Sequence, residues 1–308
     1  MLDLEWERSI PVIDVKLEEL KNIFAEYDKE ISIIGFSTIP LGCRNSNFVV
    51  NTNKGKYLLR LANISGINNE MLAYELVQDK INVPRLLYYI TRNGVEIFIY
   101  QYISGVSMQK HIIEYNQCDR ALLEQVARAA AIIHNTAKEK TKSLSEFDLP
   151  PFKMWYQYFL ENPIVRTQLD TELCERIQRL VLDKQELITE IDKYQSFIHC
   201  DFRPANMLVD ENKQVFFVDW EAACMGHSLA DIGQFFRYRS FFKDTHYRLF
   251  EKVYNTFAIG KLPENWVELS LFRDLVNPLQ LLSSNQEATY RNSDLINIIK
   301  RTLAYWDY

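Results

Sequence analysis

Residues 196–221 read SFIHCDFRPANMLVDENKQVFFVDWE, and the rest of the chain is best interpreted outward from them. His199 stands two residues before Asp201, Asn206 five residues after it, and Asp219 thirteen residues further on. The apolar run 215–218 delivers Asp219 to the end of a strand, and a hairpin connects that strand to the loop carrying Asp201. Three oxygen-bearing side chains on two adjoining loops suit a magnesium-nucleotide site. Asn206 and Asp219 can hold a hard cation through oxygen, which leaves Asp201 to accept a proton from a hydroxyl.

The chain has 308 residues, enough for two domains or one large two-lobed unit. A hydrophobic share of 47% beside 25% charged residues predicts a sizeable core. The net charge of −6 argues against a nucleic-acid surface and fits a cationic or neutral ligand. Five cysteines (Cys43, Cys118, Cys174, Cys200 and Cys224) are odd in number, scattered and outside any CxxC pair. They read as reduced thiols rather than a disulfide frame or a zinc site. The opening MLDLEWERSI has acidic residues where a signal peptide needs bases and an apolar run. No window approaches the ~18 uninterrupted apolar residues of a membrane span. A soluble cytoplasmic protein, monomer or homodimer, is expected, with no membrane and no nucleic-acid partner.

Apolar spacing predicts a helix over 14–27 with Asp14 as its N-cap. Strands follow at 31–39, 47–51 and 56–61, the last two joined by the turn Asn53-Lys54-Gly55. A helix is predicted over 68–80, and Pro84 separates it from a strand pair at 85–90 and 95–102 around Arg92-Asn93-Gly94. Beyond Gly105 helices dominate: 119–137, 152–160, 170–194, 229–239, 245–259, 264–285 and 293–305, with a polar connection at 138–151. The pattern describes an α+β chain in two lobes: an antiparallel N-terminal lobe over 1–102, a hinge at 101–105, and a larger helical lobe over 106–308.

The segment HCDFRPANMLVD (199–210) followed by FFVDWE (216–221) resembles the aminoglycoside phosphotransferase and choline kinase-like family of small-molecule kinases, which share the protein-kinase-like fold. The resemblance covers most of the chain and is strongest over 197–231. It implies that Asp201 orients or deprotonates the acceptor hydroxyl, a role for which a carboxylate of near-normal pKa is adequate. It implies that Asn206 and Asp219 hold Mg2+. His199 matches a position that braces the catalytic loop, and Asp231, in LADIG (229–233), matches an Asp with the same supporting task. Cys200 replaces the Gly common in the family and is expected to tighten the loop rather than act as a nucleophile.

Upstream, LGCRNSNF (41–48) occupies the place of the loop that covers the phosphates, which implies contacts from Gly42, Asn45 and Ser46. In KYLLR (56–60), period-two alternation puts Leu58 and Arg60 on one face. Leu58 can roof the adenine and Arg60 can reach the α- and β-phosphates of ATP or GTP. The family often has Lys at that position, and a planar guanidinium pairs with phosphate in a different geometry. Glu70 matches the carboxylate that partners this cation; Glu75, about 500° of helix rotation further on, faces elsewhere. IYQYISG (99–105) resembles the hinge whose backbone at Gln101, Tyr102 and Ile103 reads the adenine edge. His134 lies on an apolar helix face and reads as packed; His111, His227 and His246 show no ligand spacing.

Only residues 221–228 separate Asp219 from the next helix, and no Ala-Pro-Glu motif occurs, so a peptide-docking activation segment is missing and a small acceptor is expected. The resemblance implies an ATP-dependent phosphotransferase acting on a hydroxyl, with an aminoglycoside-like antibiotic the favoured acceptor and an antibiotic-resistance role attached to it. Homoserine, choline, ethanolamine and methylthioribose-type sugars remain open, as does a non-catalytic nucleotide-binding protein. Glu221, Glu251, Glu264, Glu268, Asp274, Glu287 and Asp294 are candidate carboxylates for a cationic acceptor, with Glu221 and Asp274 placed first. Trp266, Phe272, Tyr290 and Trp306 could add cation–π contacts.

Overall fold

Turn chemistry and alternation build the N-terminal half. In the computed structural model, which describes residues 6–40, 42, 44–64, 69–136, 138–141, 151–284 and 288–308, helix α1 (Leu17–Tyr27) precedes strands β1 (Ile33–Ile39), β2 (Ser46–Thr52) and β3 (Gly55–Asn63). Helix α2 (Glu70–Val77) leads to β4 (Leu86–Arg92) and β5 (Val95–Gln101). All neighbouring strands pair antiparallel in the order β1-β2-β3-β5-β4. Asn93 (φ 50°) and Gly94 (φ 76°) supply the two left-handed positions of a type I′ hairpin, whose twist matches the flanking strands. Expectations that fell on Leu41, Cys43, Asn68, Ala137, 142–150, Asn285 and Glu287 lie outside the described residues.

Alternation sorts β3 between two environments. Leu59 and Leu61 join Leu20, Ile23 and Phe24 of α1 in one apolar cluster with Phe48, Val50, Ile97 and Ile99. The intervening residues face the other way, where Leu58 and Ala62 pack with Met71, Leu86, Phe98 and Tyr100. Arg60 lies between these two, so its side chain leaves the sheet on the face opposite α1.

The C-terminal part begins at β6 (Gly105–Ser107), α3 (Met108–Tyr115) and α4 (Arg120–His134), capped by Asp119. Four helices follow, α5 (Phe152–Glu161), α6 (Pro163–Gln168), α7 (Thr171–Asp183) and α8 (Gln185–Ile191). Short strands β7 (Gln195–Ile198), β8 (Met207–Asp210), β9 (Val215–Phe217) and β10 (Cys224–His227) come next, before α9 (Ser228–Phe235). Helices α10 (Asp244–Phe257), α11 (Trp266–Asp274), α12 (Val276–Leu282) and α13 (Thr289–Ala304) complete the order. Strands β7 and β10 form one antiparallel pair, and β6, β8 and β9 form a small sheet. A Cβ at Gly105 would stand 2.2 Å from the Val209 carbonyl oxygen, so no side chain fits where β6 runs beside β8. One large apolar cluster fills this part and takes in Ala73 and Val77 of α2. No described helix is long and apolar enough to cross a membrane.

The structure departs from sequence expectation at several ends. Helix α1 starts at Leu17, not after Asp14; the Lys16 N–H donates to Glu19 Oε2 at 2.9 Å. The helix expected over 170–194 breaks at Lys184 (φ −115°, ψ 34°). The one expected over 264–285 breaks at Leu275, three residues before Pro278, whose ring cannot continue a helix begun earlier. Helix α6 was not expected, although Asn162 caps it through Ile164 N (2.9 Å) and Pro163 opens it, a legible start signal.

Candidate active site

The loop that follows β7 is irregular up to a single 3-10 turn at Pro204–Asn206, and α9 holds it. Asp231, fully buried, accepts from the backbone N–H of His199 (2.8 Å) and of Cys200 (2.9 Å). Gln234, one turn on, accepts from Phe202 N (2.7 Å) and donates to the Cys200 carbonyl (2.9 Å). His134 Nε2 adds a 3.3 Å contact to Asp231, and its Nδ1 meets the Tyr254 hydroxyl at 2.9 Å. His199 Nε2 lies 3.0 Å from the Val218 carbonyl and so carries the proton, which leaves Nδ1 to accept from Asp201 N at 3.3 Å. The clamp forces Cys200 to φ 66°, a left-handed geometry in which Gly is free of strain. That is a physical reason for the Gly common at this place in the family.

At the tip, Arg203 Nε donates to Asp201 Oδ1 at 2.5 Å and Nη2 to Oδ2 at 2.9 Å. Asn206 Nδ2 donates to Asp201 Oδ2 (2.7 Å) and to the Asp201 carbonyl (2.9 Å). Burial pushes the Asp201 carboxyl up, but the Arg203 charge and hydrogen bonds, with help from His199 and Asn206, outweigh it and hold the group below its ordinary value. Because the Asn206 amide nitrogen faces Asp201, its Oδ1 faces away as an oxygen donor. Val218 N donates to the Asn206 carbonyl at 3.0 Å, so Asp219 emerges beside this loop, at φ 70°. Among the described residues no three His, Cys, Asp or Glu side chains form a metal cage. One amide oxygen and one carboxylate nonetheless fit Mg2+, which characteristically takes one or two carboxylates and completes its shell with phosphates and water.

Arg60 faces this pair from the sheet. Its Nη2 lies 3.0 Å from Glu70 Oε2, 2.7 Å from Asp219 Oδ1 and 3.1 Å from Glu221 Oε2, and Nη1 donates to Glu70 Oε1 at 3.1 Å. Tyr100 Oη donates to the same Glu70 oxygen at 2.7 Å. Arg60 and Glu70 are 6% and 3% exposed, and three carboxylates share one guanidinium. Glu70 is pushed up to about 7, by burial first and also by Asp219 and Glu221, against the downward pull of Arg60 and the Tyr100 hydrogen bond.

The other residues singled out in the sequence fall in two groups. Asn45 Nδ2 donates to Glu221 Oε2 at 2.8 Å, so Glu221 belongs to the Arg60 cluster rather than to the helical lobe. Ser46 is buried, with Oγ accepting from Ile13 N at 2.8 Å, and the carbonyls of Gly42 and Asn45 accept from Arg8. Leu58 is half-buried against the Phe98–Tyr100 cluster. Gln101 gives its N–H to the Arg85 carbonyl at 2.9 Å; Tyr102 and Ile103 follow, half-buried. Asp274 has both oxygens on Arg237, at 2.6 and 2.8 Å, and is 4% exposed. Its charge thus neutralises the buried Arg237 rather than standing open to a ligand. Sequence reasoning missed Arg203, Gln234 and Tyr100. Arg203 lay inside the quoted stretch, two residues past an Asp in a tight turn; the other two gave no signal short of the fold.

Comparison with known proteins bears on the family and the fold. The chain is 26% identical over 168 residues to the Protein LicA homolog of Mycoplasma capricolum subsp. capricolum, covering 54% of this chain and 60% of that protein. It is 26% identical over 208 residues to Protein LicA of Haemophilus influenzae, covering 65% and 56%. The matches thus span less than two thirds of these relatives' own length. Among solved structures, a spectinomycin phosphotransferase in complex with ADP and spectinomycin superposes with a TM-score of 0.67 at 13% identity, over 96% of each chain. The choline kinase LicA of Streptococcus pneumoniae gives 0.63 at 15% identity, over 93% of this chain and 99% of its own. At such identities the likeness carries the fold, a protein-kinase-like one. Residues 35–265, most of the chain, match the phosphotransferase enzyme family, and the protein belongs to that family.

Proposed function

We propose that the protein is an ATP-dependent kinase, with GTP an alternative donor, that moves the γ-phosphate to the hydroxyl of a small acceptor bearing one ammonium group, of the choline or ethanolamine type. The observation that carries the reaction is the Asp201–Arg203–Asn206 cluster set against Arg60, Glu70 and Asp219. Asp201 Oδ2 already accepts two hydrogen bonds and Oδ1 one, so Oδ1 retains a lone pair for the acceptor hydroxyl. Asn206 Oδ1 and Asp219 would hold Mg2+, which supplies charge neutralisation to the phosphates. Arg60 binds the phosphates and Glu70 keeps it oriented, Leu58 covers the base, and the backbone of Tyr102 and Ile103 reads its edge. The loop with Gly42, Asn45 and Ser46 lies over the phosphates.

The carboxylates of the helical lobe support this acceptor class. Asp274 is paired with Arg237, Glu268 accepts from Trp306 Nε1 (2.8 Å) and lies 3.4 Å from Lys184, and Glu264 is exposed. Glu251 is on α10, which packs along α4. Among the described candidates, which do not include Glu287, Asp294 is joined to the Asp201 loop through Trp6, whose ring faces Arg203. A single carboxylate suits a monocation, whereas a polycationic aminoglycoside, the acceptor first favoured, calls for several. The choline kinase named among the similar structures points the same way.

The test is magnesium-dependent ATP turnover with choline, ethanolamine, homoserine, sugars and a panel of aminoglycosides. Turnover confined to amino alcohols, and abolished in Asp201→Ala with nucleotide binding kept, is expected. Turnover confined to aminoglycosides overturns the acceptor class, and wild-type-like activity in Asp201→Ala overturns the mechanism.

A further inference from the structure

Residues 6–13 are distant in sequence from the Asp201 loop, yet they reach it, α13 and the loop before β2. The Trp6 ring lies 4.8 Å from the Arg203 guanidinium carbon, and its indole N–H donates to Asp294 Oδ2 at 3.2 Å. The Tyr238 hydroxyl donates to that same Asp294 oxygen at 2.7 Å. Glu7 accepts from the N–H groups of Tyr290 (2.6 Å) and Arg291 (3.0 Å), two of the free donors in the first turn of α13. Arg8 Nη1 and Nη2 donate to the carbonyls of Gly42 (2.6 Å) and Asn45 (2.8 Å), and Nε to the Ile10 carbonyl (3.2 Å). Three consecutive side chains therefore join the catalytic loop, α13 and the loop that leads into β2.

From this juxtaposition we propose that Trp6–Arg8 is a working part of the active site, with Trp6 a positioning residue that seats Arg203 on Asp201 and Arg8 a positioning residue for the loop before β2. The proposal rests on the kinase reading for its kinetic consequences and on geometry alone for its structural one. An Arg side chain has many rotamers, and freezing it costs entropy that a partner on its open face offsets. An aromatic face over a guanidinium contributes roughly 0.5–2 kcal/mol, depending on how dry the contact is. Because the ring stands on Arg203, the guanidinium fork stays aligned with both Asp201 oxygens. The indole N–H meanwhile shares Asp294 with Tyr238, so Trp6 also orients the carboxylate assigned to the acceptor. Arg8 touches neither Asp201 nor Asp294; its bonds go to Ile10 and to the two loop carbonyls.

The two side chains should therefore separate kinetically. Trp6→Ala is expected to lower kcat/KM for the acceptor roughly tenfold, the size of a lost cation–π contact, with the KM for ATP within about twofold of wild type. Trp6→Phe keeps the ring face and loses the N–H; it should restore kcat and leave the acceptor KM raised. Arg8→Ala should raise the KM for ATP and leave that for the acceptor unchanged. A merely structural segment would move both substrates together, in step with the loss of melting temperature, and that result overturns the proposal. So do variants with wild-type constants. If wild-type protein phosphorylates no acceptor at all, the kinase reading fails, and a crystal structure of Trp6→Ala decides the positioning claim by itself. Arg203 withdrawn from Asp201 supports it, and Arg203 unmoved on both oxygens refutes it.

Discussion

Replacing Arg60 with Met keeps a side chain of comparable length and removes the one cation that Glu70, Asp219 and Glu221 share. The side chains of Asp219 and Glu221 are 35% and 20% exposed and can turn to water, whereas the Glu70 side chain, at 4%, cannot. Its carboxyl would lose both guanidinium contacts, with the Tyr100 hydroxyl among the partners it keeps. Stranding one partner of a buried ion pair costs about 3–5 kcal/mol. At about 2–3 °C per kcal/mol for a chain of this size, the melting point should fall by roughly 6–15 °C. The loss has a pH signature. Glu70 titrates near 7 in the folded protein, above its ordinary value of 4.5, so its contribution to stability is complete below 4.5 and is lost as the pH rises through 7. Arg60 opposes that rise, and without it the folded value climbs further. Thermal melts of wild type and variant at pH 6 and pH 9 should show the larger gap at pH 9. An equal gap at both values, or a fall under about 2 °C, would refute the picture of Glu70 as a buried carboxyl dependent on Arg60.

Other substitutions probe the remaining parts. Asp219→Ala should weaken magnesium-nucleotide binding by at least about tenfold in a titration calorimeter, a loss of ~1.4 kcal/mol, and unchanged affinity would remove it as a metal ligand. Cys200→Gly relieves a left-handed backbone strain of about 1–3 kcal/mol while adding freedom to the unfolded chain. The variant should therefore melt at or above wild type with turnover kept, and loss of turnover would restore a role for the thiol. Asp294→Asn should raise the KM for an ammonium-bearing acceptor roughly tenfold, as for a lost charge–charge attraction of about 1.4 kcal/mol, and leave the KM for ATP alone. Equal effects on both substrates would take Asp294 out of the acceptor site.

Much of the architecture was legible because local rules and the final fold agree. The Asn93-Gly94 and Asn53-Lys54-Gly55 turns set strand pairing, and the two-residue period put Arg60 on the face where Glu70 waits. The meeting of Asp201 with Asn206, and of their loop with Asp219, was legible because these residues are close in sequence. Helix interruptions were harder: Pro278 marked one, but nothing local marks Lys184, where packing of α7 and α8 on different neighbours decides. The carboxylates were hardest. Asp274 and Asp294 look alike in sequence, and only the partner that the fold brings up, Arg237 for one and Trp6 with Tyr238 for the other, separates them.

The bonds from α9 to the Asp201 loop slow its opening. Irregular segments ordinarily exchange their amide hydrogens first, through local openings that leave the core intact. Here the amides of His199, Cys200 and Phe202 end on Asp231 and Gln234, side chains of a helix buried along its whole length. Those three amides should exchange as slowly as α9 itself, in minutes to days rather than seconds, because freeing them means opening the middle of the helical core.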